Sequence, residues 1–86
     1  MEISVELTLT PLQSDFDPPI IDFIKILRAS GCIIKETPLS TQVYGEYTSV
    51  MELITNATQQ IFEQSEHIIL NIKIVKSNRS DYEPSF

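Results

Sequence analysis

The sequence predicts the α+β fold class, with a four-stranded antiparallel sheet covered on one face by two helices. Three observations predict it. The chain has 86 residues, which is enough for one domain with one core. Segments near both ends alternate between apolar and polar residues, as expected of strands with one buried face. Two segments between them repeat their apolar residues at helical spacing.

The first strand and the first helix are marked by periodicity and by residues that end them. Strand one carries apolar residues at alternate positions, namely Ile3, Val5, Leu7 and Leu9. Pro11 ends this strand, and Asp17 is placed to cap a helix whose first position is Pro18. Helix one is predicted over residues 18–30, because Gly31 supplies the left-handed stop that commonly follows a helix.

The second half of the chain predicts two short strands, a helix and a last strand. Residues 32–36 and 41–47 read as a hairpin, because β-branched residues precede a short link containing Pro38. Ser49 and Glu52 have the spacing of a capping box, which predicts that helix two begins at Ser49. The apolar stripe of helix two consists of Val50, Ile54, Ala57 and Ile61. The fourth strand follows, with Ile68, Leu70, Ile72 and Ile74 at alternate positions.

The order strand, helix, strand, strand, helix, strand is the split βαβ pattern of ferredoxin-like α+β domains. We therefore expect a ferredoxin-like domain over residues 1–76. Residues 77–86 form a polar C-terminal tail, which we expect to be mobile or to be ordered by another subunit.

In this arrangement one face of the sheet has no helices, and we call it the open sheet face. Strand parity predicts that Val43 and Gly45 point toward the helices. The open sheet face then carries mainly polar side chains, namely Glu6, Thr8, Gln42, Tyr44, Glu46, Asn71 and Lys73. Such a face recognises a ligand, is simply solvated, or is buried against a second subunit.

Composition excludes several classes of function. The chain has 12 acidic and 6 basic residues, a net charge of −6, which argues against binding of a nucleic acid backbone. No segment is apolar enough for a membrane span. The N-terminus does not have the pattern of a signal peptide, and Cys32 is the single cysteine, so we expect a cytoplasmic protein that starts at Met1.

Motifs of catalysis are missing from the sequence. It has no glycine-rich phosphate loop, nucleophile elbow or dinucleotide fingerprint. His67 is the only histidine, and no ligands lie at a spacing suited to a metal. The sequence predicts no catalytic residues, no metal site and no cofactor, and thus no enzyme.

Three segments resemble the small thiamine-binding proteins of the YkoF-like family. They are "ISVELTLTPLQ" at residues 3–13, "STQVYGEYTSVM" at 40–51 and "ILNIKIVK" at 69–76. The most specific part is a Ser-Thr pair followed by Gly-Glu-aromatic and Val-Met, here Ser40, Thr41, Gly45, Glu46, Tyr47, Val50 and Met51. The resemblance implies a ferredoxin-like subunit that forms homodimers or homotetramers and binds thiamine, or its hydroxymethylpyrimidine part, without catalysis.

Thiamine combines a cationic thiazolium with an aminopyrimidine, so a matching site needs a carboxylate, hydroxyl or amide groups and a flat wall. The predicted ligand-binding residues that supply these groups are Glu6, Thr8, Ser40, Thr41, Gln42, Tyr44 and Glu46. We expect Ser40, Thr41 and Gln42 to bind the pyrimidine. Glu6 or Glu46 would meet the positive charge, and Tyr44 would stack.

Two alternatives remain open at this point. One is an assembly or regulatory domain, whose open sheet face and edge strands bind only other protein chains. The other is an enzyme of vitamin salvage, for which the sequence offers no nucleophile.

Overall fold

A computed structural model describes residues 1–15 and 17–85. Within these residues the chain forms four strands and two helices in the predicted order. Their bounds are β1 Glu2–Pro11, α1 Asp17–Arg28, β2 Ile33–Glu36, β3 Thr41–Glu46, α2 Tyr47–Gln64 and β4 Ile68–Val75. The predicted order and type of all six elements are confirmed.

The strands form one antiparallel sheet in the order β2-β3-β1-β4. The register pairs Val5 with Val43 on β3 and with Ile74 on β4. Residues that pair directly across antiparallel strands point to the same face of the sheet, so these three side chains lie on the helix side. The fold is ferredoxin-like, as predicted, with β2 and β4 as its edge strands.

The core lies between the sheet and the two helices. From the sheet it takes Ile3, Val5 and Leu7 of β1 and Val43 of β3, each no more than 2% exposed. The helices complete it with Phe23, Leu27, Val50, Ile54, Ala57 and Ile61. Each fully buried aliphatic or aromatic side chain contributes about 1.5–3 kcal/mol, so this single layer carries most of the stabilisation. The predicted buried face of β1 and the predicted stripe of α2 are confirmed.

Gly45 lies on the helix side of β3, as predicted, where α2 packs closely on the sheet. A Cβ atom added to Gly45 would lie 3.2 Å from the Cγ2 atom of Val50. This distance is shorter than an ordinary van der Waals contact, so a side chain here would force Val50 to shift by a few tenths of an ångström. The glycine therefore permits the close approach of helix and sheet.

The N-cap of helix α2 lies three residues before Ser49, the N-cap of the predicted capping box, and that prediction is wrong. The N-cap is Glu46, whose extended backbone ends β3 and whose carboxylate accepts a hydrogen bond from the Ser49 amide at 3.1 Å. The chain passes from β3 into α2 without a loop, so the amides to be capped are those of the residues just after Glu46. Ser49 consequently lies inside the first turn.

Helix α1 ends at Arg28, and the predicted last residues 29–30 form a turn before Gly31. Gly31 has a φ of +84°, which confirms the left-handed stop. Arg28 then joins α1 to β2 through two hydrogen bonds to the Glu36 carboxylate, each 2.7 Å long. The hydrogen bond from Arg28 lowers the pKa of Glu36, against a smaller opposing effect of burial.

The first part of the predicted tail is held against the open sheet face by this same chain. Ser4 of β1 donates from Oγ to the Ser77 carbonyl at 2.6 Å and accepts from the Arg79 amide at 2.8 Å. The Asn78 side chain donates to Glu2 at 2.9 Å. The tail is therefore ordered without another subunit over these residues, contrary to the expectation from its polar composition. Phe86 lies outside the described residues.

Candidate functional site

The tail and the open sheet face border a shallow cavity of about 430 Å³ that is largely open to solvent. We call it the open-face cavity. Its lining residues come from β1, β3, β4 and the tail, and they are Ser4, Val5, Glu6, Gln42, Tyr44, Lys73, Val75, Arg79 and Tyr82. The cavity brings together carboxylate, amide, phenol and basic side chains on a rigid sheet.

Tyr44 forms the flat part of the cavity wall. The residue is only 7% exposed, although it lies on the open sheet face and lines the cavity. The phenol donates a hydrogen bond to the Gln42 side-chain oxygen at 2.8 Å. The Lys35 ammonium lies 5.5 Å from the centroid of the same ring. The ring is thus fixed in position by its neighbours before any ligand binds.

Glu6 supplies the carboxylate of the open-face cavity. One oxygen accepts a hydrogen bond from Ser40 Oγ at 3.1 Å, and the other lies 3.8 Å from the Lys73 ammonium. The side chain is 41% exposed, so it remains accessible to a ligand. The carboxylate is therefore oriented by a hydroxyl and by one cation while keeping an open side.

A smaller cavity of about 180 Å³ lies on the helix side, between α1, β1 and the link from β2 to β3. Thr8, Ser40 and Thr41 line it together with apolar residues such as Phe23 and Leu39. Thr41 is only 9% exposed and shares the helix side with Val43, because it pairs directly with Leu7. We call this space the helix-side cavity.

The seven residues predicted to bind a ligand are therefore divided. Glu6, Gln42 and Tyr44 line the open-face cavity, whereas Thr8, Ser40 and Thr41 line the helix-side cavity. The pleat of β3 accounts for Thr41, because neighbouring residues of a strand point to opposite faces, so Thr41 and Gln42 cannot address the same cavity. Thr8 has the same strand parity as Glu6, so parity does not account for its place in the helix-side cavity. Ser40 is the link between the two sets, through its hydrogen bond to Glu6.

Glu46 is among the lining residues of neither cavity. Its carboxylate caps α2 through the Ser49 amide, and it lies 4.0 Å from the amino group of Met1. The structure gives this residue a helix-capping role. Of the two carboxylates predicted to meet a positive charge, it is Glu6 that lies in the open-face cavity.

Sequence reasoning missed six of the nine residues that line the open-face cavity, namely Ser4, Val5, Lys73, Val75, Arg79 and Tyr82. Strand parity places Ser4 and Lys73 on the open sheet face, but they were not predicted as site residues. Arg79 and Tyr82 come from the tail, and no local pattern in a polar segment tells where it folds back. The hydrogen bonds of Ser4 and Asn78 reveal that position.

No group of three or more His, Cys, Asp or Glu side chains within residues 1–15 and 17–85 could hold a metal ion. Neither α1 nor α2 has the length and apolarity that crossing a bilayer requires.

The fold and the open-face cavity define a ferredoxin-like α+β domain with a ligand-sized space on its open sheet face. The sequence matches the family model of the thiamine-binding proteins over residues 5–85. The chain therefore belongs to the thiamine-binding protein family. The match extends to residue 85, so it includes the tail that borders the open-face cavity.

Solved structures show the same fold. A Streptococcus pneumoniae protein superimposes with a TM-score of 0.84 at 24% identity, over 91% of this chain and 89% of that chain. A Thermotoga maritima protein with a suggested role in thiamine biosynthesis or salvage gives 0.78 at 18% identity, over 86% and 82% of the two chains. A Bacillus cereus domain of unknown function gives 0.74 at 20% identity, over 99% and 79%. The comparison with curated proteins finds no significant match.

Proposed function

We propose that this protein binds thiamine, or its hydroxymethylpyrimidine part, in the open-face cavity without catalysing a reaction. The observation that carries the proposal is the meeting of Glu6, Gln42 and Tyr44 in one cavity. Its volume of about 430 Å³ lies in the range of small-molecule pockets, roughly 300–1,000 Å³. Membership of the thiamine-binding protein family supports the choice of ligand.

Each of the three residues offers a group that thiamine needs. The Glu6 carboxylate offers a counter-charge to the thiazolium, because one side of it remains accessible. Gln42 offers amide hydrogen bonds to the aminopyrimidine, and the Tyr44 ring offers a surface for stacking. These roles involve binding and orientation only, and the protein is proposed to be a binding protein and not an enzyme.

Isothermal titration calorimetry with thiamine and with hydroxymethylpyrimidine tests the proposal. We expect Glu6→Gln to weaken thiamine binding about fivefold, the effect of roughly 1 kcal/mol for a partly exposed ion pair. Binding of the uncharged pyrimidine should change less. Glu52→Gln is the matched control, because Glu52 is an exposed carboxylate on α2. Absence of heat with either ligand at millimolar concentration would overturn the proposal.

The exposed edge of the sheet favours a second property, assembly with other copies of the chain. Strand β4 is an edge strand, and its apolar side chains are 40–48% exposed at Ile69, Ile72, Ile74 and Val75. Edge strands with exposed apolar residues readily pair with another chain. We propose a homodimer or homotetramer in the cytoplasm, a location with which the single cysteine agrees.

The same edge also supports the alternative function, an assembly or regulatory domain without a small-molecule ligand. Light scattering after size exclusion, together with the thiamine calorimetry, distinguishes a thiamine binder from a pure assembly domain when both are applied to Ile74→Lys and to Glu6→Gln. A thiamine binder loses affinity in Glu6→Gln while its oligomer is unchanged. A pure assembly domain becomes monomeric in Ile74→Lys and gives no thiamine signal in any variant.

A further inference from the structure

The open-face cavity has a local charge that differs from that of the whole chain. The chain carries a net charge of −6 and only six basic residues. Two of them, Lys73 and Arg79, line this cavity, against the single carboxylate of Glu6. A third, Lys35, lies beside the Tyr44 ring. Half of the basic residues of an acidic protein therefore gather around one space.

The carboxylate of the cavity is already partly neutralised. Lys73 lies 3.8 Å from Glu6, so a purely cationic ligand would compete with this ammonium for one carboxylate. A ligand that also carries a negative group would release Lys73 from Glu6 and bind it. The pairing of one carboxylate with two cations thus fits a ligand that has charges of both signs.

Arg79 is held in place by the tail. Its backbone amide donates to Ser4 Oγ at 2.8 Å, and its Nε donates to Ser77 Oγ at 2.9 Å. A guanidinium has five N–H donors, so this side-chain bond leaves four that can contact an anion. Arginine matches the geometry of phosphate oxygens better than lysine does, because two parallel N–H groups bind two oxygens.

We propose that the open-face cavity prefers the phosphate ester of its ligand, with Arg79 and Lys73 binding the phosphate group. This rests on the proposed function, since it refines the chemical class of the molecule bound in the same cavity. The ligand is then thiamine monophosphate or an equivalent ester, with its thiazolium at Glu6, its pyrimidine near Tyr44 and its phosphate beneath the tail. Arg79 becomes a specificity-determining residue that only the folded tail brings to the site.

Calorimetry in phosphate-free buffer with thiamine monophosphate, thiamine and inorganic phosphate tests this preference. We expect the ester to bind about 25-fold more tightly than thiamine, the combined effect of two partly exposed ion pairs at about fivefold each. The preference should shrink as salt rises from about 0.05 to 0.5 M, because screening weakens exposed pairs. We expect Arg79→Gln to lose about fivefold in affinity for the ester and to leave thiamine affinity within about twofold. Lys25→Gln, which removes an exposed charge on α1, is the matched control.

The outcomes separate this proposal from the one on which it rests. If thiamine binds at least as tightly as its ester, the phosphate preference is overturned while the proposed function stands. If inorganic phosphate binds as tightly as the ester, the cavity is a simple anion site and the preference for the ester is overturned. Absence of binding by both organic ligands overturns both proposals. Should Arg79→Gln fail to fold, Lys73→Gln and the salt dependence of the unmodified protein decide the question.

Discussion

Ser4 is a residue through which β1 holds the tail, and its substitution by alanine tests the docked position of the tail. Its hydroxyl makes two hydrogen bonds to the tail, 2.6 Å to the Ser77 carbonyl and 2.8 Å to the Arg79 amide. The residue is 7% exposed, so water does not readily replace these bonds. At about 1 kcal/mol each, their loss weakens the docking of the tail by about 2 kcal/mol. The undocked population then rises about 30-fold.

Limited trypsin digestion measures this population, because Lys76 and Arg79 are cleavage sites within or next to the tail. Cleavage of a transiently opened segment follows the equilibrium fraction that is open when opening and closing are fast. We expect Ser4→Ala to be cut at these two sites about 30 times faster than the unmodified protein. Circular dichroism should show both proteins folded, because the core does not include Ser4. Ser49→Ala, at an exposed serine of α2, should be cut at the normal rate. Equal rates for all three proteins would refute the docked position of the tail.

Three further predictions concern the packing, capping and charge of the fold. Gly45→Ala should lower the free energy of unfolding by about 1–3 kcal/mol in urea titrations, because its Cβ would lie 3.2 Å from a methyl group of α2; an unchanged midpoint would contradict this close approach. Glu46→Ala should lower the free energy of unfolding by about 1 kcal/mol and Ser49→Ala by less than about 0.5 kcal/mol. The reverse order would indicate that Ser49 is the N-cap of α2. The hydrogen bond from Arg28 lowers the pKa of Glu36, so its stabilisation is present above the unfolded pKa of about 4.3 and is lost as the pH falls through the lower folded value. Thermal melts of Glu36→Gln should therefore show a lower Tm than the unmodified protein at pH 7, with a difference that shrinks as the pH falls below the unfolded value of about 4.3; a difference of the same size above and below this pH would exclude the ion pair as its cause.

The elements of the fold were predictable because their signals are local. Alternation in β1 and β4 and the stripe of α2 depend only on residues a few positions apart, and each of them lies where the periodicity predicts. The start of α2 was not predictable in the same way. Glu46 and Ser49 both carry groups that can cap a helix, and the choice between them depends on where β3 ends against β1. That end is set by pairing across the sheet.

The candidate site was predictable only in part. Strand parity brings Glu6, Gln42 and Tyr44 to one face, and the structure gathers these residues around one cavity. Thr41 was predicted to bind the same ligand as Gln42 because it belongs to the Ser-Thr pair of the motif, yet the pleat of β3 turns it toward the helices. A motif that is continuous along a strand is therefore divided between two faces of the sheet.

By itself, the sequence determined the fold class and the buried face of β1, and it predicted that Val43 and Gly45 of β3 point toward the helices. These depend on hydrophobic periodicity and strand alternation, which act over short distances. Only the tertiary structure decided that the tail crosses the open sheet face and that Arg79 reaches the same cavity as Glu6. The two residues are 73 positions apart, and hydrogen bonds between distant segments, such as those of Ser4, leave no periodic trace in the chain.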